Sequence, residues 1–321
     1  MKVFRRLSPN IISPSALAIG NFDGVHRGHQ ALLSKLKEVA SRLGVLPTVL
    51  TFNPHPRRFF AELSGHTETV PFTITPFRDK MRALAGAGVK QVCMAPFDAA
   101  LASLSAEAFI EQVLVGALRV RWMTVGENFR FGRGREGTTE LMVDAGKRYH
   151  FEVAVMPMVN DGEDRISSTD IRHALALGEL DRAAKLLGRP YTLSGHVVKG
   201  NRLGRVLGFP TANLSLRQGL PVLSGVFITR VHGLEPEPLP AVSMIGSRPT
   251  VVEQGAVVLE THLLDYQSDI YGALIEIEFL EKLRDNRRFS GVDALKMAIR
   301  NDIAVAKVYF RQHHTGTVLH R

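Results

Sequence analysis

The spacing of apolar residues differs between the two halves of the chain. Up to residue 187, short apolar runs at 16–20, 46–52, 90–97 and 120–126 predict buried strands. Between them, apolar positions recur with the period of a helix. The clearest helical face, which can end at Gly44, is formed by Leu32, Leu33, Leu36, Val39, Ala40 and Leu43. Strands that alternate with helices predict an α/β Rossmann-like domain with a parallel sheet over residues 1–187.

Further helical patterns in this half lie near 77–87 and at 105–118, 169–177 and 180–187. Ser105 opens the segment 105–118 and is a suitable cap, because a serine side chain accepts hydrogen bonds from the first turn of a helix. These helices would flank the predicted parallel sheet.

After residue 187 the periodicity changes to that of strands. Short strand-like segments at 193–200, 225–233, 241–246, 250–265 and 273–284 are separated by Gly, Pro and Asn. The alternation is clearest at 273–280, where Ile275, Ile277 and Phe279 interleave with Glu276 and Glu278. An amphipathic helix at about 291–310 closes the chain. Residues 188–321 therefore form a predicted all-β, Greek-key-type barrel with a C-terminal helix.

Composition restricts the class of protein. The chain has 321 residues, 45% of them apolar and 22% charged, one cysteine and a formal net charge of +9. One cysteine excludes an intramolecular disulfide and favours the cytoplasm. The charge favours anionic partners, but it is dispersed, so we expect small molecules and no dedicated nucleic acid. Without a signal peptide or a long apolar stretch, we expect no membrane partner, and a monomer or transient homo-oligomer.

The stretch 20–44, GNFDGVHRGHQALLSKLKEVASRLG, contains the first candidate site. A strand ends at Gly20 and a helix begins near Gly28, so backbone N–H groups and the positive helix end meet in one place. His26 and His29 flank Gly28 and could hold a phosphate there. Adenylyl transfer suits this site, because a phosphate nucleophile needs no general base. A metal site, with Asp23 and the more distant His55 as the available further ligands, and solvated loop histidines are the alternatives.

The stretch 195–214, GHVVKGNRLGRVLGFPTANL, contains the second candidate site. Its glycines permit the close approach of a phosphate, although no Gly-Lys-Ser/Thr follows as in a Walker A loop. Thr211 and Asn213 offer neutral oxygens, which suit Mg²⁺ when ATP supplies the negative charge. The alternative is a glycine-rich β-turn with a conformational role alone.

The first site resembles the His-x-Gly-His signature of the nucleotidyltransferase superfamily, in the form found in bacterial bifunctional FAD synthetases. The stretches 51–56 (TFNPHP), 125–137 (VGENFRFGRGREG) and 166–175 (ISSTDIRHAL) support the resemblance. It implies catalytic roles for His26, His29 and Arg172. The residues that it implies for ATP binding are Gly20, Phe22, Gly24, His26, His29, Ser168, Thr169 and Arg172, and those for flavin contacts are His55, Asn128, Phe129 and Phe131.

The second site resembles the riboflavin kinase motif, together with 225–227 (GVF), 245–250 (IGSRPT), 259–272 (LETHLLDYQSDIYG) and 281–289 (EKLRDNRRF). The resemblance implies that Glu260 is the catalytic base and that Arg284 lies near the flavin. The residues implied for ATP or flavin binding are Gly200, Gly204, Arg205, Gly208, Thr211, Asn213 and Arg284, with Thr211 and Asn213 as the Mg²⁺ ligands. Met244, Phe227 and Ser268 stand where the family commonly has Asn, Tyr and Gly.

Together the two resemblances imply a bifunctional enzyme. It would phosphorylate riboflavin with MgATP to FMN, and then adenylylate FMN with a second ATP to give FAD and pyrophosphate. Three alternatives remain: a different nucleotidyltransferase fused to a non-catalytic β-barrel, a nucleic-acid-binding protein, and a class I aminoacyl-tRNA synthetase. Against the synthetase, this sequence contains no Lys-Met-Ser-Lys-Ser-like loop.

Overall fold

The structure is a computed structural model that describes residues 1–7, 13–66, 72–157, 159–161, 164–200, 204, 207–216, 222–247 and 257–313. Its contacts divide the chain into two compact units. The first unit comprises Met1–Pro71 and Lys80–Ser168, and the second comprises Phe72–Asp79 and Thr169–Arg321. These units are defined by contacts alone, so the domain limits of 1–187 and 188–321 remain predictions.

The first unit is built on a six-stranded parallel sheet. Its strands are β1 (Lys2–Phe4), β2 (Ser15–Ile19), β3 (Leu46–Asn53), β4 (Gln91–Pro96), β5 (Val120–Gly126) and β6 (Glu152–Met156). Their order in the sheet is β1-β4-β3-β2-β5-β6. Every neighbouring pair is parallel, which confirms the predicted Rossmann-like arrangement. A small antiparallel pair follows, β7 (Asn160–Asp161) and β8 (Asp164–Arg165).

Helices connect these strands. They are α1 (Arg27–Leu43), α2 (Pro56–Ser64), α3 (Phe77–Gly86), α4 (Ala99–Ser103), α5 (Ala106–Ala108) and α6 (Thr139–Tyr149). Helix α5 continues as a π-helix over Phe109–Ala117. Ser105 caps α5 as predicted, since its side chain accepts the N–H of Ala108.

Helix α1 forms because its apolar residues share one face. Leu33 and Leu36 on that face are fully buried, whereas Leu43, at the end of the helix, is 40% exposed. Gly44 ends the helix with a φ of 63° and donates to the carbonyls of the last turn, as its position in the sequence predicts.

The second unit contains a closed antiparallel barrel. After α7 (Ser168–Leu177) and α8 (Leu180–Leu187), the strands are β9 (Thr192–Val198), β10 (Ala212–Leu214), β11 (Gly225–His232), β12 (Leu239–Ser247), β13 (Val257–Leu263) and β14 (Leu274–Arg284). Their order is β10-β13-β12-β11-β14-β9, closed by the pairing of β10 with β9. The chain thus passes from β10 to β11 over two intervening strands, as in a Greek key.

The interior of the barrel holds the residues that the alternation predicts. Ile275, Ile277 and Phe279 are buried on β14, and Phe279 packs edge-on against Phe227 of β11. The C-terminal helix is α9 (Val292–His313), and its Phe310 packs against apolar residues of the barrel strands in a separate cluster. This confirms the predicted all-β barrel with a closing helix.

The packing of α1 gives a direct test of the core of the first unit. Replacing fully buried Leu36 by alanine should lower the free energy of unfolding by about 2–5 kcal/mol, because a cavity remains. The control Leu43→Ala, on the same helix but 40% exposed, should cost much less. Urea unfolding followed by the fluorescence of Trp122, the single tryptophan, reports on this unit because Trp122 lies in β5. Equal losses would contradict the packing described.

Candidate active sites

The turn between β2 and α1 is strained. Phe22 and Val25 have φ angles of 48° and 41°, a region that bulky side chains rarely adopt, and Gly24 has a φ of 85°. Phe22 and Val25 are each only 1% exposed. Their burial holds the turn in a shape that the isolated segment would not keep, and so fixes the point at which α1 begins.

His26 and His29 are brought together at the start of α1. His26 is the N-cap, and its Nδ1 accepts the backbone N–H of His29 at 3.4 Å. The two rings stack with centroids 3.7 Å apart. A Cβ atom at Gly28 would lie 3.2 Å from the His26 ring, so glycine leaves the room that this ring occupies. The pair therefore lies at a helix N-terminus, where backbone N–H groups favour an anion.

His29 is held in its neutral form. Burial lowers the pKa of His29 well below its usual range, and the nearby His26 and Lys80 lower it further. Its Nδ1 is buried and has no hydrogen-bond partner among the described residues. A neutral imidazole can donate one hydrogen bond, so His29 can serve a phosphate oxygen as a donor without carrying charge itself.

A cavity of about 340 Å³ opens beside this pair. The predicted site residues that line it are Gly20, Phe22, His26, His29, Asn128, Phe129 and Ser168. The Ser168 hydroxyl donates to the carbonyl of Asp23 at 3.0 Å, which ties Ser168 to the strained turn. This volume suits a small-molecule ligand. The structure thus gathers most of the residues assigned to nucleotide binding at one place in the first unit.

Three predicted residues of the first unit do not line the cavity. Phe131 is buried in the core, with its ring stacked on Phe129 at 5.6 Å and packed against Phe109. His55 caps α2, where its Nδ1 accepts the N–H of Arg57 at 3.1 Å. Gly24 lies within the turn itself. Of the two phenylalanines expected to contact flavin, it is the ring of Phe129 that reaches the cavity.

Thr169 and Arg172 belong to the second unit. They lie on α7, and the Nε of Arg172 donates to the carbonyl of Phe72 at 2.6 Å, also in that unit. Their roles toward ATP remain predictions from the sequence motif.

In the barrel, Glu260 lies where the alternation of β13 predicts. Leu259 and Thr261 are fully buried in the interior, and Glu260 is half-buried on the other face. The strand register places Glu260 opposite Asn213 of β10 on one side and Met244 of β12 on the other. The departure from the family pattern at Met244 therefore falls directly beside the predicted base.

The glycine-rich stretch packs against the predicted metal ligands. A Cβ atom at Gly200 would lie 2.5 Å from the side-chain amide of Asn213, and one at Gly204 would lie 3.0 Å from Thr211 Oγ1. Gly208 has a φ of 91°, and Arg205 lies outside the described residues. Only glycine permits this approach. The neutral oxygens of Thr211 and Asn213 suit Mg²⁺ that also binds ATP phosphates.

Carboxylates do not gather into a further metal site in the part of the chain that the structure describes. No group of three or more His, Cys, Asp or Glu side chains is arranged there to hold a metal ion.

Arg284 forms a buried ion pair that the sequence did not predict. Its Nε and Nη2 donate to the carboxylate of Asp302 at 2.8–3.1 Å, and Asp302 is 5% exposed. The guanidinium also lies 5.5 Å from the Phe289 ring centroid. Arg284 is thus oriented by α9, and its assignment to flavin stays a prediction. An acidic residue on the inward face of the closing helix was the signal that could have indicated this pair.

Two residues that the sequence analysis did not select also lie at the first site. Lys80 is half-buried, and its Nζ donates to the carbonyl of Asn21 at 2.9 Å. The Asn21 Oδ1 is buried and has no partner within the described chain. Both flank the turn, yet neither belongs to the His-x-Gly-His motif.

A buried turn at a helix start in an α/β unit, and a carboxylate beside Asn213 in a barrel unit, are the arrangement expected of a nucleotide-dependent transferase. Family models agree: the FAD synthetase model matches residues 8–170 and the riboflavin kinase model matches residues 187–310. The chain belongs to the family of bifunctional riboflavin kinase/FMN adenylyltransferases.

Individual relatives support this membership. The bifunctional riboflavin kinase/FMN adenylyltransferase of Escherichia coli (strain K12) is 44% identical over 296 residues, which cover 92% of each chain. That of Pseudomonas fluorescens is 42% identical over 289 residues, covering 90% of this chain and 91% of the relative. A crystal structure described as a macrolide-efflux protein from Streptococcus pneumoniae is similar with a TM-score of 0.78 and 28% identity, covering 96% of this chain and 99% of the other.

Among the described residues, no helix has the length and apolar character needed to cross a bilayer.

The close approach of Gly200 to Asn213 generates a prediction. Gly200→Ala should lower riboflavin phosphorylation at least about tenfold, because the new methyl group displaces the Asn213 amide. Gly291→Ala is the control, since a Cβ there meets nothing within 4 Å. FMN formation measured by chromatography separates the outcomes. Wild-type phosphorylation by Gly200→Ala would mean that Asn213 need not hold its position.

Proposed function

We propose that this chain carries the two activities of its family at separate places, riboflavin phosphorylation in the second unit and FMN adenylylation in the first. ATP is the donor in both steps, and FMN formed in the first step is the acceptor in the second. The observation that carries the proposal is the buried turn of the first unit, where His26, Gly28 and His29 line one cavity at a helix start. We further propose that the enzyme acts in the cytoplasm on small molecules.

For adenylyl transfer, a phosphate oxygen of FMN attacks the α-phosphorus of ATP, and the bond to pyrophosphate breaks. The nucleophile is already ionised, so no residue has to remove a proton. The site must stabilise negative charge on the α-phosphate and on the leaving pyrophosphate. In the first unit, His26, His29 and the N-terminus of α1 supply donors, and Ser168 supplies a hydroxyl; the roles of Thr169 and Arg172 toward ATP are those that the sequence motif implies. Phe129, with Asn128 beside it, offers a ring face to the flavin.

For the kinase step, the terminal ribityl hydroxyl of riboflavin attacks the γ-phosphorus of ATP, and ADP leaves. This hydroxyl is a very weak acid, so Glu260 accepts its proton as the bond to phosphorus forms. Mg²⁺ held by Thr211 and Asn213 would neutralise charge on the phosphates. Gly200 and Gly204 keep both side chains in place, and Arg284, oriented by Asp302, is the proposed cationic group near the flavin.

A time course tests the proposal directly. Purified protein incubated with riboflavin and MgATP should yield FMN first and FAD afterwards, with pyrophosphate released only as FAD appears. Formation of FMN without FAD would contradict the adenylyltransferase assignment. Adenylylation of supplied FMN without phosphorylation of riboflavin would support a nucleotidyltransferase fused to a non-catalytic barrel.

A substitution in the first unit should abolish FAD formation and leave FMN formation in the second unit intact. His29→Ala is expected to lower FAD formation by about 10²-fold or more and to let FMN accumulate, because a donor to the transferred phosphate is lost. His66→Ala, at an exposed position after α2, is the matched control and should resemble wild type. If FMN and FAD formation fell together in a folded His29→Ala variant, the two sites would not be separate.

The kinase base can be tested with a substitution that keeps its shape. Glu260→Gln should lower FMN formation from riboflavin by about 10²–10⁴-fold, since the amide cannot accept the proton. FAD formation from supplied FMN should stay near wild type. Glu237→Gln, in the exposed loop before β12, controls for the loss of one negative charge. Phosphorylation by Glu260→Gln within about threefold of wild type would show that Glu260 is not the base.

A further inference from the structure

Lys80 has an unusual position for a lysine. It lies in the first turn of α3 and is half-buried, and its Nζ donates to the carbonyl of Asn21 at 2.9 Å. Lysine side chains normally extend their ammonium group into water. Here the group is directed instead to the backbone that connects β2 to the strained turn.

The carbonyl of Asn21 is held from two sides. Besides Lys80, the hydroxyl of Thr51 at the end of β3 donates to it at 3.4 Å. The next residue is Phe22, whose positive φ begins the turn. A fixed carbonyl at this point fixes the direction in which the chain enters the turn, and therefore the position of the helix start at Arg27, six residues later.

The ammonium group also acts on His29 across space. The titratable groups whose charge bears on His29 are His26, on the same helix, and Lys80, on α3. A positive charge near a buried imidazole disfavours its protonation, so Lys80 adds to the effect of burial in lowering the pKa of His29.

We propose that Lys80 is a positioning residue for adenylyl transfer, acting through Asn21 and His29 to fix the start of the turn and the electrostatic environment of the histidine pair. The inference rests on the proposed function of the first unit. Lys80 brings an ammonium group to the site, while His29 remains a neutral donor stacked 3.7 Å from His26.

A helix that merely needs a long side chain at this position would tolerate any residue of similar shape. A purely structural role and the proposed positioning role therefore differ in whether adenylylation needs the positive charge of Lys80. Lys80→Gln and Lys80→Met both remove the charge, and Met keeps the apolar stem. Lys80→Arg keeps the charge and a donor. Lys35→Gln is the control, because Lys35 is an exposed lysine of α1 that pairs with Glu38.

Each variant is assayed as full-length protein for adenylylation of supplied FMN, with kcat and KM determined separately, and for riboflavin phosphorylation as an internal measure of folding. The imidazole signals of His29 are titrated by NMR. Lys80→Gln and Lys80→Met should lower the kcat of adenylylation by about tenfold or more, with phosphorylation within about twofold of wild type. The pKa of His29 should rise in both, and Lys80→Arg should recover most of the activity.

Three results would overturn the inference: adenylylation near wild type in Lys80→Gln and Lys80→Met, an equal fall of both activities, or an unchanged pKa of His29. A wild-type protein that makes no FAD from FMN would overturn the proposed function together with this inference. If the wild-type protein and the Lys80 variants make FAD equally well, only the role of Lys80 is overturned.

Discussion

The proposed phosphate site of the first unit depends on one conformational constraint, the positive φ angles of Phe22 and Val25. Each such residue costs about 1–3 kcal/mol relative to an ordinary conformation. Burial of a large apolar side chain contributes about 1.5–3 kcal/mol, and both residues are almost completely buried. The two effects are of similar size, so the turn persists only while the core around it is intact. The cap at His26, the stacked imidazoles and the cavity all follow from that turn.

The barrel uses a different constraint for a similar purpose. Its strand register sets Glu260 opposite Asn213, and the absence of side chains at Gly200 and Gly204 lets these two residues lie against Asn213 and Thr211. In both units a glycine leaves room for a functional side chain, as Gly28 does for the ring of His26. The proposed catalytic groups are thus placed by backbone geometry, which binding of a charged nucleotide would otherwise have to impose.

The sequence predicted the elements whose pattern is local. Helix α1 with its end at Gly44, the cap at Ser105 and the alternation along β14 follow from residues that are close in sequence. The π-helix at Phe109–Ala117 could not be distinguished from an α-helix, because its apolar positions fit either period. Helix α2 was missed since its nine residues follow a proline-rich loop and bury only Ala61.

The sequence predicted those site residues that belong to recognisable motifs. Of the two loop phenylalanines, the sequence could not tell that Phe129 lines the cavity while Phe131 joins the core, because both have the same composition around them. The ion pair of Arg284 with Asp302 joins a strand to the closing helix, and the contact of Lys80 with Asn21 spans 59 residues. Such long-range contacts have no periodicity, so only the folded chain brings them together.

The central claim is that one chain performs two chemically distinct transfers from ATP. It is tested most directly by following isotopic phosphorus from ATP labelled at either the γ or the α position during conversion of riboflavin. The account predicts that the γ label enters FMN and is retained in FAD, whereas the α label enters FAD and never FMN. An α label that never reaches a flavin, or FMN formed without the γ label, would contradict it.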